Sequence, residues 1–386
     1  MNFLVAVLLV PLLYAAYALY AVARTVHAVR RFPECQHKDD DLPQLSVIVP
    51  ACNEADTIEA ALRTKLKAHY PKLELIVVND RSTDETGAIA ERVAAEDPRL
   101  KVVHVTELPA GWLGKLNALE CGRAAATGEI ILFSDADVNF GPELLRRSVS
   151  ALMAQKLDFI TVIAEMTSQS FLLDSSLTTF LRGLLLGGRI WNMRDPSSPI
   201  GVGAGVFNLV RRSALEKTPG FEWIKMEVAD DIAFGQMMKK SGARCAVYNG
   251  AYDLHLAYYS SFPEFVRGLE KNSYAGSSYR PSLALLMLFI LAYGELTAAA
   301  LLPFASGVAM WMAAASLVLV AISQALVVSW VRRPMLTAVL PALGPLLVIF
   351  IAARAVLLIH LRGGISWRGT FYSLAQLRAG MRLERL

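Results

Sequence analysis

Residues 129–138 read EIILFSDADV, an apolar run that ends in two aspartates separated by one alanine. The run Glu129–Ser134 predicts a β-strand covered on both faces, because its apolar residues are continuous rather than alternating. Asp135 and Asp137 follow this strand directly. Since ligands bind at the carboxyl ends of the strands in open α/β sheets, the two aspartates mark an edge where a site is expected.

The preceding segments repeat the pattern of strand and helix. Further β-rich runs are Leu45–Pro50 (LSVIVP), Leu73–Asp80 (LELIVVND) and Lys101–Val105. The stretches between them predict helices, one starting at Asp56 with Glu59 completing a capping box, one starting at Ser82 with Glu85 in the same relation, and one over Leu113–Ala126. Buried strands separated by helices predict a mainly parallel sheet with helices on both faces.

Polar side chains follow the other predicted strands. Asn53 and Glu54 follow the first strand, and Asp80 ends the second. The sequence has no GxGxxG or GxxxxGK(S/T) motif, which argues against dinucleotide and P-loop sites. An acidic pocket needs a cation to hold phosphate, and Mg²⁺ or Mn²⁺ suits carboxylate oxygens. A single Asp-x-Asp is more often a solvated turn, but acids at several strand ends favour a metal site at Asp135 and Asp137.

Two further segments carry candidate functional residues. Lys115 stands in GWLGKLN at the start of a predicted helix, where a cation and the helix N-terminus both favour phosphate, although an isolated lysine there is more often on the surface. Asp230 and Asp231 are adjacent within MEVADDIAFG (226–235). Neighbouring carboxylates in an apolar setting perturb each other's pKa, and one of them could accept a proton; a helix N-cap pair is the alternative.

The start of the chain predicts a membrane anchor. Residues 1–23 carry no charge and are followed by Arg24, Arg30 and Arg31. Hydrophobic residues make up 54% of the chain, and the mean hydropathy is +0.41. Because the charges follow the apolar run instead of preceding it, we expect an uncleaved span with its N-terminus outside, then a cytosolic linker over 24–43.

A second apolar region covers residues 281–359. Its predicted segments are 283–304, 307–331 and 335–359, and its only ionisable residues are Glu295, Arg332, Arg333 and Arg354. The arginine-rich tail, residues 360–386, predicts a cytosolic end, whereas three full crossings would place that tail outside. The last segment contains Pro341, Gly344 and Pro345, so we expect it to be broken, re-entrant or interfacial. Glu295 is a candidate functional residue, and a structural hydrogen bond is the alternative.

Composition excludes other classes. The chain has 38 basic and 34 acidic residues, a balance that indicates no nucleic-acid partner. Its four cysteines have neither CxxC nor zinc-site spacing, which predicts free thiols in a reducing compartment. The oligomeric state is not indicated.

Six motifs occur in order over residues 44–280: VIVPACNEADTI, IVVNDRSTDET, GWLGKLNAL, ILFSDADV, GVGAGVFNLVRRSAL and ADDIAFG. With them the chain resembles family 2 glycosyltransferases of GT-A fold, an α/β class with a Rossmann-like, mainly parallel sheet. The terminal transmembrane helices resemble the ceramide glucosyltransferase, hopanoid-associated and carotenoid glycosyltransferase branch. So does the tail motif GISWR at 364–368, which in ceramide glucosyltransferase looks cytosolic.

The resemblance implies roles for individual residues. Asp80 would contact the uracil of a nucleotide-sugar donor, and the nucleotide pocket would include Pro50, Asn53, Glu54, Lys115 and Asp135. Asp137, together with Asp135, would coordinate Mg²⁺ or Mn²⁺ on the diphosphate. Asp231, with Asp230 beside it, would be the catalytic base of an inverting reaction.

One departure concerns the (Q/R)xxRW motif that much of the family carries after the base. The corresponding stretch, residues 262–272, contains no Arg-Trp pair. Arg267 and Lys271 are spaced i, i+4 and are expected to share a helix face toward the diphosphate, with a solvated basic face as the alternative. The missing pair argues against a processive polysaccharide synthase.

The segment Ser170–Asp195 combines a broad apolar surface with three arginines. We expect an interfacial helix that brings a lipid acceptor to the base; a core helix packed on the sheet is the alternative. The predicted function is transfer of a hexose from a nucleotide-sugar, with a UDP-sugar favoured, to a hydroxyl of a sphingolipid, hopanoid, carotenoid or glycerolipid at the cytosolic face of the cell (inner) membrane. The alternatives are a polyprenyl-phosphate sugar synthase, a processive synthase and a non-enzymatic scaffold.

Overall fold

A central seven-stranded sheet organises the computed structural model, which describes residues 3–384 apart from 169, 258 and 260. The strand order is β3-β2-β1-β4-β8-β6-β9, and smaller sheets have the orders β5-β10-β7 and β11-β12. The strands are β1 Leu45–Ala51, β2 Leu73–Asp80, β3 Leu100–Val105, β4 Ile130–Phe133, β5 Val138–Phe140, β6 Phe159–Ile163, β7 Glu165–Thr167, β8 Asn208–Arg211, β9 Cys245–Asn249, β10 Leu254–Ala257, β11 Gly364–Trp367 and β12 Thr370–Ser373.

Helices cover both faces of this sheet and form the apolar ends of the chain. They are α1 Phe3–Ala28, α2 Ile58–Leu66, α3 Thr86–Glu96, α4 Gly114–Ala125, α5 Leu144–Ala154, α6 Phe171–Gly188, α7 Arg212–Leu215, α8 Gly220–Ile224, α9 Asp230–Lys240, α10 Phe262–Gly268, α11 Glu270–Ala275, α12 Pro281–Leu301, α13 Gly307–Trp330, α14 Leu343–Arg362 and α15 Leu374–Gly380.

The predicted mainly parallel sheet is confirmed. Strand β1 pairs in parallel with β2 and β4, so that Ile48 stands between Ile76 and Phe133. Strand β8 is the exception, because it runs antiparallel to both β4 and β6. All four residues of β4 are buried, as its continuous apolar run predicts. The carboxyl ends of β1, β2 and β4 therefore meet at one edge.

The two predicted capping boxes are wrong. Helix α2 begins at Ile58, and Glu59 pairs with Arg63 instead of reaching back to Asp56. Helix α3 begins at Thr86, whose backbone N–H donates to Asp84. The cause is the backbone before each helix, since Asn53 and Arg81 adopt left-handed conformations (φ 56° and 55°) that turn the two loops toward each other.

Four of the described helices are long and apolar enough to cross a membrane: α1, α12, α13 and α14. The last predicted segment begins later than expected, at Leu343. Pro341 precedes this helix, and Pro345 lies in its first turn, where the absence of an N–H costs no hydrogen bond. Helix α14 is therefore continuous despite its prolines.

Helix α6, from the apolar segment with three arginines, packs mainly against α1, α13 and α14. Its main contacts are therefore with the apolar helices and not with the strands of the sheet, and its role as an interfacial helix stays a prediction.

Candidate active site

The acids predicted at the strand ends lie along one edge of the sheet. Glu54 follows β1, Asp80 ends β2, and Asp135 and Asp137 follow β4. Pro50 lies within β1 opposite Val78 of β2. The edge is therefore acidic over three adjacent strands, as the sequence predicts.

Lys115 joins two of the predicted acidic groups. Its Nζ lies 2.9 Å from Asp135 Oδ1 and 3.2 Å from Asp230 Oδ2. Helix α4 presents this lysine from its second residue, near the positive end of the helix dipole. Gly205 leaves room for these contacts, because a Cβ there would lie 2.6 Å from Asp135 Oδ2 and 3.2 Å from Lys115 Nζ. The lysine is thus part of the site and not an isolated surface residue.

Asp230 and Asp231 form the first turn of α9. Asp231 Oδ2 accepts a hydrogen bond from the Gly205 N–H at 3.1 Å, and its Oδ1 accepts one from the Ile232 N–H at 2.8 Å. Burial and the neighbouring Asp230 raise the pKa of Asp231 to about 6, while Lys115 opposes this shift. A carboxylate with a raised pKa, held in a fixed orientation, is suited to accept a proton.

Asp137 lies in a strongly acidic environment. Burial, together with Asp135 and Glu54, raises the pKa of Asp137 to about 6. The buried Lys65 ammonium approaches the same loop, donating to the carbonyl of Val138 at 2.5 Å. The negative charges of Asp135 and Glu54 act on Asp137, which favours a cation among these carboxylates.

The predicted metal site consists of the two carboxylates of Asp135 and Asp137. Among the described residues, no group of three or more His, Cys, Asp or Glu side chains could hold a metal ion. Mg²⁺ in phosphate-handling sites typically takes one or two carboxylates plus substrate phosphates and water. Asp135 and Asp137 fit that donor set, which requires oxygens from a bound diphosphate.

The nucleotide side of the pocket is built from two linked loops. Asn53 Oδ1 accepts a hydrogen bond from the Thr83 N–H at 2.8 Å, so this amide holds the loop after β2. Asp80 is buried and paired with its neighbour Arg81 at 2.8 Å. Gly114 packs against this pair, with a Cβ position 2.5 Å from Asp80 Oδ2. Asn53 and Asp80 thus shape the pocket wall where the resemblance places the nucleotide.

The expected pairing of Arg267 and Lys271 on one helix face is wrong. Helix α10 ends at Gly268 and α11 begins at Glu270, so the two cations lie on different helices. Glycine is a weak helix former, which is consistent with a break at this point. Arg267 is exposed and pairs with none of the acids in the described part of the chain, whereas half-buried Lys271 faces the acidic edge.

Two residues of the tail reach the site although the sequence did not single them out as functional. Arg368 pairs with Glu54. The ring of Trp367 lies under the Lys271 ammonium, 4.0 Å from Nζ to the ring centroid. The only sequence signal was the run Ser-Trp-Arg-Gly after the last apolar helix. Its role at the site depends on contacts with Lys271 and Glu54, which lie far earlier in the chain, so that no local sequence pattern indicates them.

Comparison with known proteins identifies the class of the domain. Residues 46–218 match the family model described as glycosyl transferase family 2. The chain is 38% identical to the protein named "Probable glycosyltransferase YdaM" of Bacillus subtilis over 110 residues, 28% of this chain and 26% of that protein. It is 29% identical to the beta-monoglucosyldiacylglycerol synthase of Synechocystis sp. over 196 residues, 49% of this chain and 39% of that protein. The chain thus spans well under half the length of these relatives.

The solved structure of mannosyltransferase PcManGT from Pyrobaculum calidifontis, in complex with GDP-Man and Mn²⁺, superposes with a TM-score of 0.56 at 22% identity, covering 92% of this chain and 99% of that one. Residues 46–218 are therefore similar to glycosyl transferase family 2 domains, and the fold is of the GT-A type with apolar helices attached. Asp230, Asp231 and the tail lie outside residues 46–218, the range that the family model matches.

Proposed function

We propose that this protein is an inverting glycosyltransferase that moves a hexose from a nucleotide-sugar to a hydroxyl of a membrane lipid. The observation that carries the proposal is the position of Lys115 between Asp135 and Asp230. Lys115 contacts one carboxylate of the Asp-x-Asp pair and one carboxylate of the Asp230–Asp231 pair, so a single lysine side chain separates the two pairs. A donor sugar bound there would have its diphosphate on one side and a candidate base on the other.

In the proposed reaction, Asp231 takes the proton of the acceptor hydroxyl as the oxygen attacks the anomeric carbon. The bond from that carbon to the diphosphate oxygen breaks in the same in-line step, so the configuration inverts. Lys115 remains beside the departing diphosphate and stabilises its charge. The two backbone N–H groups on Asp231 keep its carboxylate oriented toward the acceptor.

Asp135 and Asp137 would hold Mg²⁺ or Mn²⁺. When bound, the ion would neutralise negative charge on the diphosphate. The raised pKa of Asp137 supports this assignment, since a divalent ion would relieve the repulsion among Asp135, Asp137 and Glu54. PcManGT, which shares the fold, was solved with Mn²⁺ and GDP-Man. For this chain we favour a UDP-sugar, as the family resemblance implies at Asp80.

A lipid acceptor is supported by the apolar side chains packed beside the site. A buried cluster joins Leu173 and Leu177 of α6, Phe265 of α10 and Ile351 of α14, with the Tyr259 ring packed against it. Asp137 influences the pKa of Tyr259, so this cluster extends from an apolar helix to the acidic edge. The Synechocystis relative is named for a glycolipid product. We favour membership in the ceramide glucosyltransferase, hopanoid-associated and carotenoid glycosyltransferase branch.

We propose that two of the three C-terminal apolar helices cross the inner membrane and that α14 lies along its cytosolic boundary. The tail packs on the sheet domain: Arg378 donates to the Tyr279 carbonyl at 2.7 Å, and the Arg382 N–H donates to Glu227 at 2.8 Å. Because tail and domain share a side of the membrane, an even number of crossings must separate them.

Contacts along α14 support the assignment of this helix as the one that does not cross. Near its start, Gly344 packs against α6, with its Cβ position 2.4 Å from the Ser175 carbonyl. Toward its end, Arg354 and Arg362 pair with Glu270 of α11. Both ends therefore contact the domain side. With α1 flanked by Arg24, Arg30 and Arg31, that side is the cytosol.

The test incubates membranes containing the full-length chain with a panel of radiolabelled nucleotide-sugars and Mg²⁺ or Mn²⁺, then extracts and identifies the lipids. We expect one sugar on one lipid hydroxyl, formed by the wild type and not by Asp231→Asn, and lost with EDTA. A sugar linked through a phosphate would indicate a polyprenyl-phosphate sugar synthase, and a polymer would indicate a processive synthase; either would refute the proposal. Transfer only to a water-soluble acceptor would refute the lipid part.

A further inference from the structure

The tail forms a hairpin directly after α14. Strands β11 and β12 pair with Trp367 opposite Thr370, so only Arg368 and Gly369 form the turn. Both have positive φ, 47° and 79°, as a type I′ turn requires. This turn type favours Asn, Asp or Gly at its first position, and an arginine there is conformationally unfavourable. Local backbone preference therefore does not account for Arg368.

Side-chain contacts connect the hairpin to three parts of the pocket wall. Arg368 pairs with Glu54 in the loop after β1. The Tyr372 hydroxyl lies beside the backbone N–H of Gly114 at the start of α4. Trp367 contacts the Lys271 ammonium of α11. The hairpin therefore covers the nucleotide side of the pocket and closes the gap between β1, α4 and α11.

The hairpin also places two cations next to each other. Lys271 has no carboxylate within ion-pair distance in the described part of the chain. Its ammonium contacts the face of the Trp367 ring instead. Burial, with Lys115 and Arg368 nearby, lowers the pKa of Lys271 to about 8. Arg368 has one carboxylate partner, Glu54, and its side chain is 45% exposed. An anion that contacted both cations would relieve their repulsion.

The guanidinium suits one kind of anion. Arginine binds phosphate oxygens through two parallel N–H donors. In the present structure one of these donors bonds the Glu54 carboxylate, and the other donates to the Asn53 carbonyl at 3.5 Å. A diphosphate entering beside Lys115 would compete with both acceptors for them. Glu54 could then keep its backbone bond to Thr86 Oγ1, which does not involve its carboxylate.

We propose that Arg368, at the tip of the C-terminal hairpin, binds the diphosphate of the donor, with Trp367 and Lys271 completing that side of the pocket. The tail thus supplies a Trp-Arg pair to a site whose helical segment at 262–272 has none. The inference rests on the proposed function, since it assumes a nucleoside diphosphate donor.

The experiment measures equilibrium binding of UDP, GDP, UMP and GMP to the purified full-length protein in detergent. The variants are Arg368→Asn, Arg368→Lys and, as matched control, Arg382→Asn. Asparagine is favoured in a type I′ turn, so Arg368→Asn removes the guanidinium without weakening the hairpin. Arg382 belongs to the same tail, and its guanidinium contacts the carbonyls of Ala379 and Met381.

We expect Arg368→Asn to weaken binding of the preferred diphosphate about 10- to 100-fold, as loss of a charge-assisted hydrogen bond predicts. Binding of the matching monophosphate should weaken less, Arg368→Lys should be intermediate, and Arg382→Asn should equal the wild type. Equal diphosphate affinity of Arg368→Asn and the wild type would overturn the inference while leaving the transferase proposal intact. If the wild type binds no nucleotide at all, both proposals fail.

Discussion

The carboxylate of Glu295 on α12 pairs with the guanidinium of Arg182 on α6, and both side chains are almost completely buried. Tyr14 of α1 donates to the same carboxylate at 2.8 Å, and Arg182 also donates to Ser323 of α13 at 3.3 Å. One ion pair therefore connects four helices. Glu295, expected from the sequence to be functional or structural, has the contacts of a structural residue.

Removing one partner of this pair should destabilise the protein strongly. Glu295→Ala leaves Arg182 buried without its carboxylate, which costs about 3–5 kcal/mol. Thermal unfolding in detergent should show a lower Tm for Glu295→Ala and for Arg182→Ala. The double variant Arg182→Met with Glu295→Leu should recover much of the loss.

The control for this prediction is Arg92→Ala, which removes an exposed partner of Glu59 and should cost about 1 kcal/mol or less. A Glu295→Ala protein as stable as this control would show that the pair does not hold the helices together.

Asp231→Asn should lower kcat by about 10²- to 10⁴-fold, the range typical of a general base. Donor binding should change far less, because the substituted side chain still accepts from Gly205. Asp97→Asn is the matched control, since Asp97 forms a partly exposed pair with Arg99 away from the site. The measurement is sugar transfer at saturating donor alongside nucleotide binding. A folded Asp231→Asn protein with wild-type kcat would exclude the residue as the base.

Activity should fall as the pH drops through about 6. The pKa of Asp231 is raised to about 6 by burial and Asp230, so the carboxylate is mostly ionised at pH 7 and accepts a proton there. Below pH 6 it becomes protonated and can no longer act as a base. Asp137 has a similar raised pKa, so metal affinity should fall over the same range.

Measuring kcat at saturating metal and donor separates these two effects, because excess metal compensates only for Asp137. A rate that stays constant from pH 7.5 to pH 5 under these conditions would contradict the assignment of Asp231.

The proposed membrane arrangement can be tested by cysteine labelling in intact cells. The four native cysteines, at 35, 52, 121 and 245, all lie in the part proposed to be cytosolic. An impermeant maleimide should therefore leave the wild type unlabelled. Ser306→Cys, between α12 and α13, should be labelled from outside. Arg382→Cys in the tail should be labelled only after permeabilisation. External labelling of Arg382→Cys in intact cells would instead mean that an odd number of helices crosses after the domain.

Much of the fold could be predicted from the sequence because each strand is a short, continuous apolar run. Residues 130–133 are buried as that pattern predicts, and parallel pairing then brings the acids after β1, β2 and β4 to one edge. The helix starts could not be predicted in the same way. They depend on left-handed backbone at Asn53 and Arg81, which lets each loop hydrogen-bond the other.

Some residues of the candidate site could likewise be predicted from the sequence, and others could not. Lys115, Asp135 and Asp230 were each expected to be functional, and the structure brings them into direct contact. Lys271 faces the site as expected, but it lies on a different helix from Arg267. Trp367 and Arg368 were noticed only as part of a tail motif. Their contacts with Lys271 and Glu54 are set by the packing of α14 on the domain, which no local pattern of residues describes.

The position of the hairpin has a consequence for how the protein is made. Strands β11 and β12 follow the four long apolar helices of the described residues, α1, α12, α13 and α14, so the ribosome releases them only after those helices have been synthesised. Until then the pocket lacks the wall that contains Trp367 and Arg368. In the proposed arrangement, a nascent chain whose apolar helices have already entered the bilayer therefore still has an incomplete nucleotide pocket, and the pocket gains this wall only when the hairpin after α14 has been made.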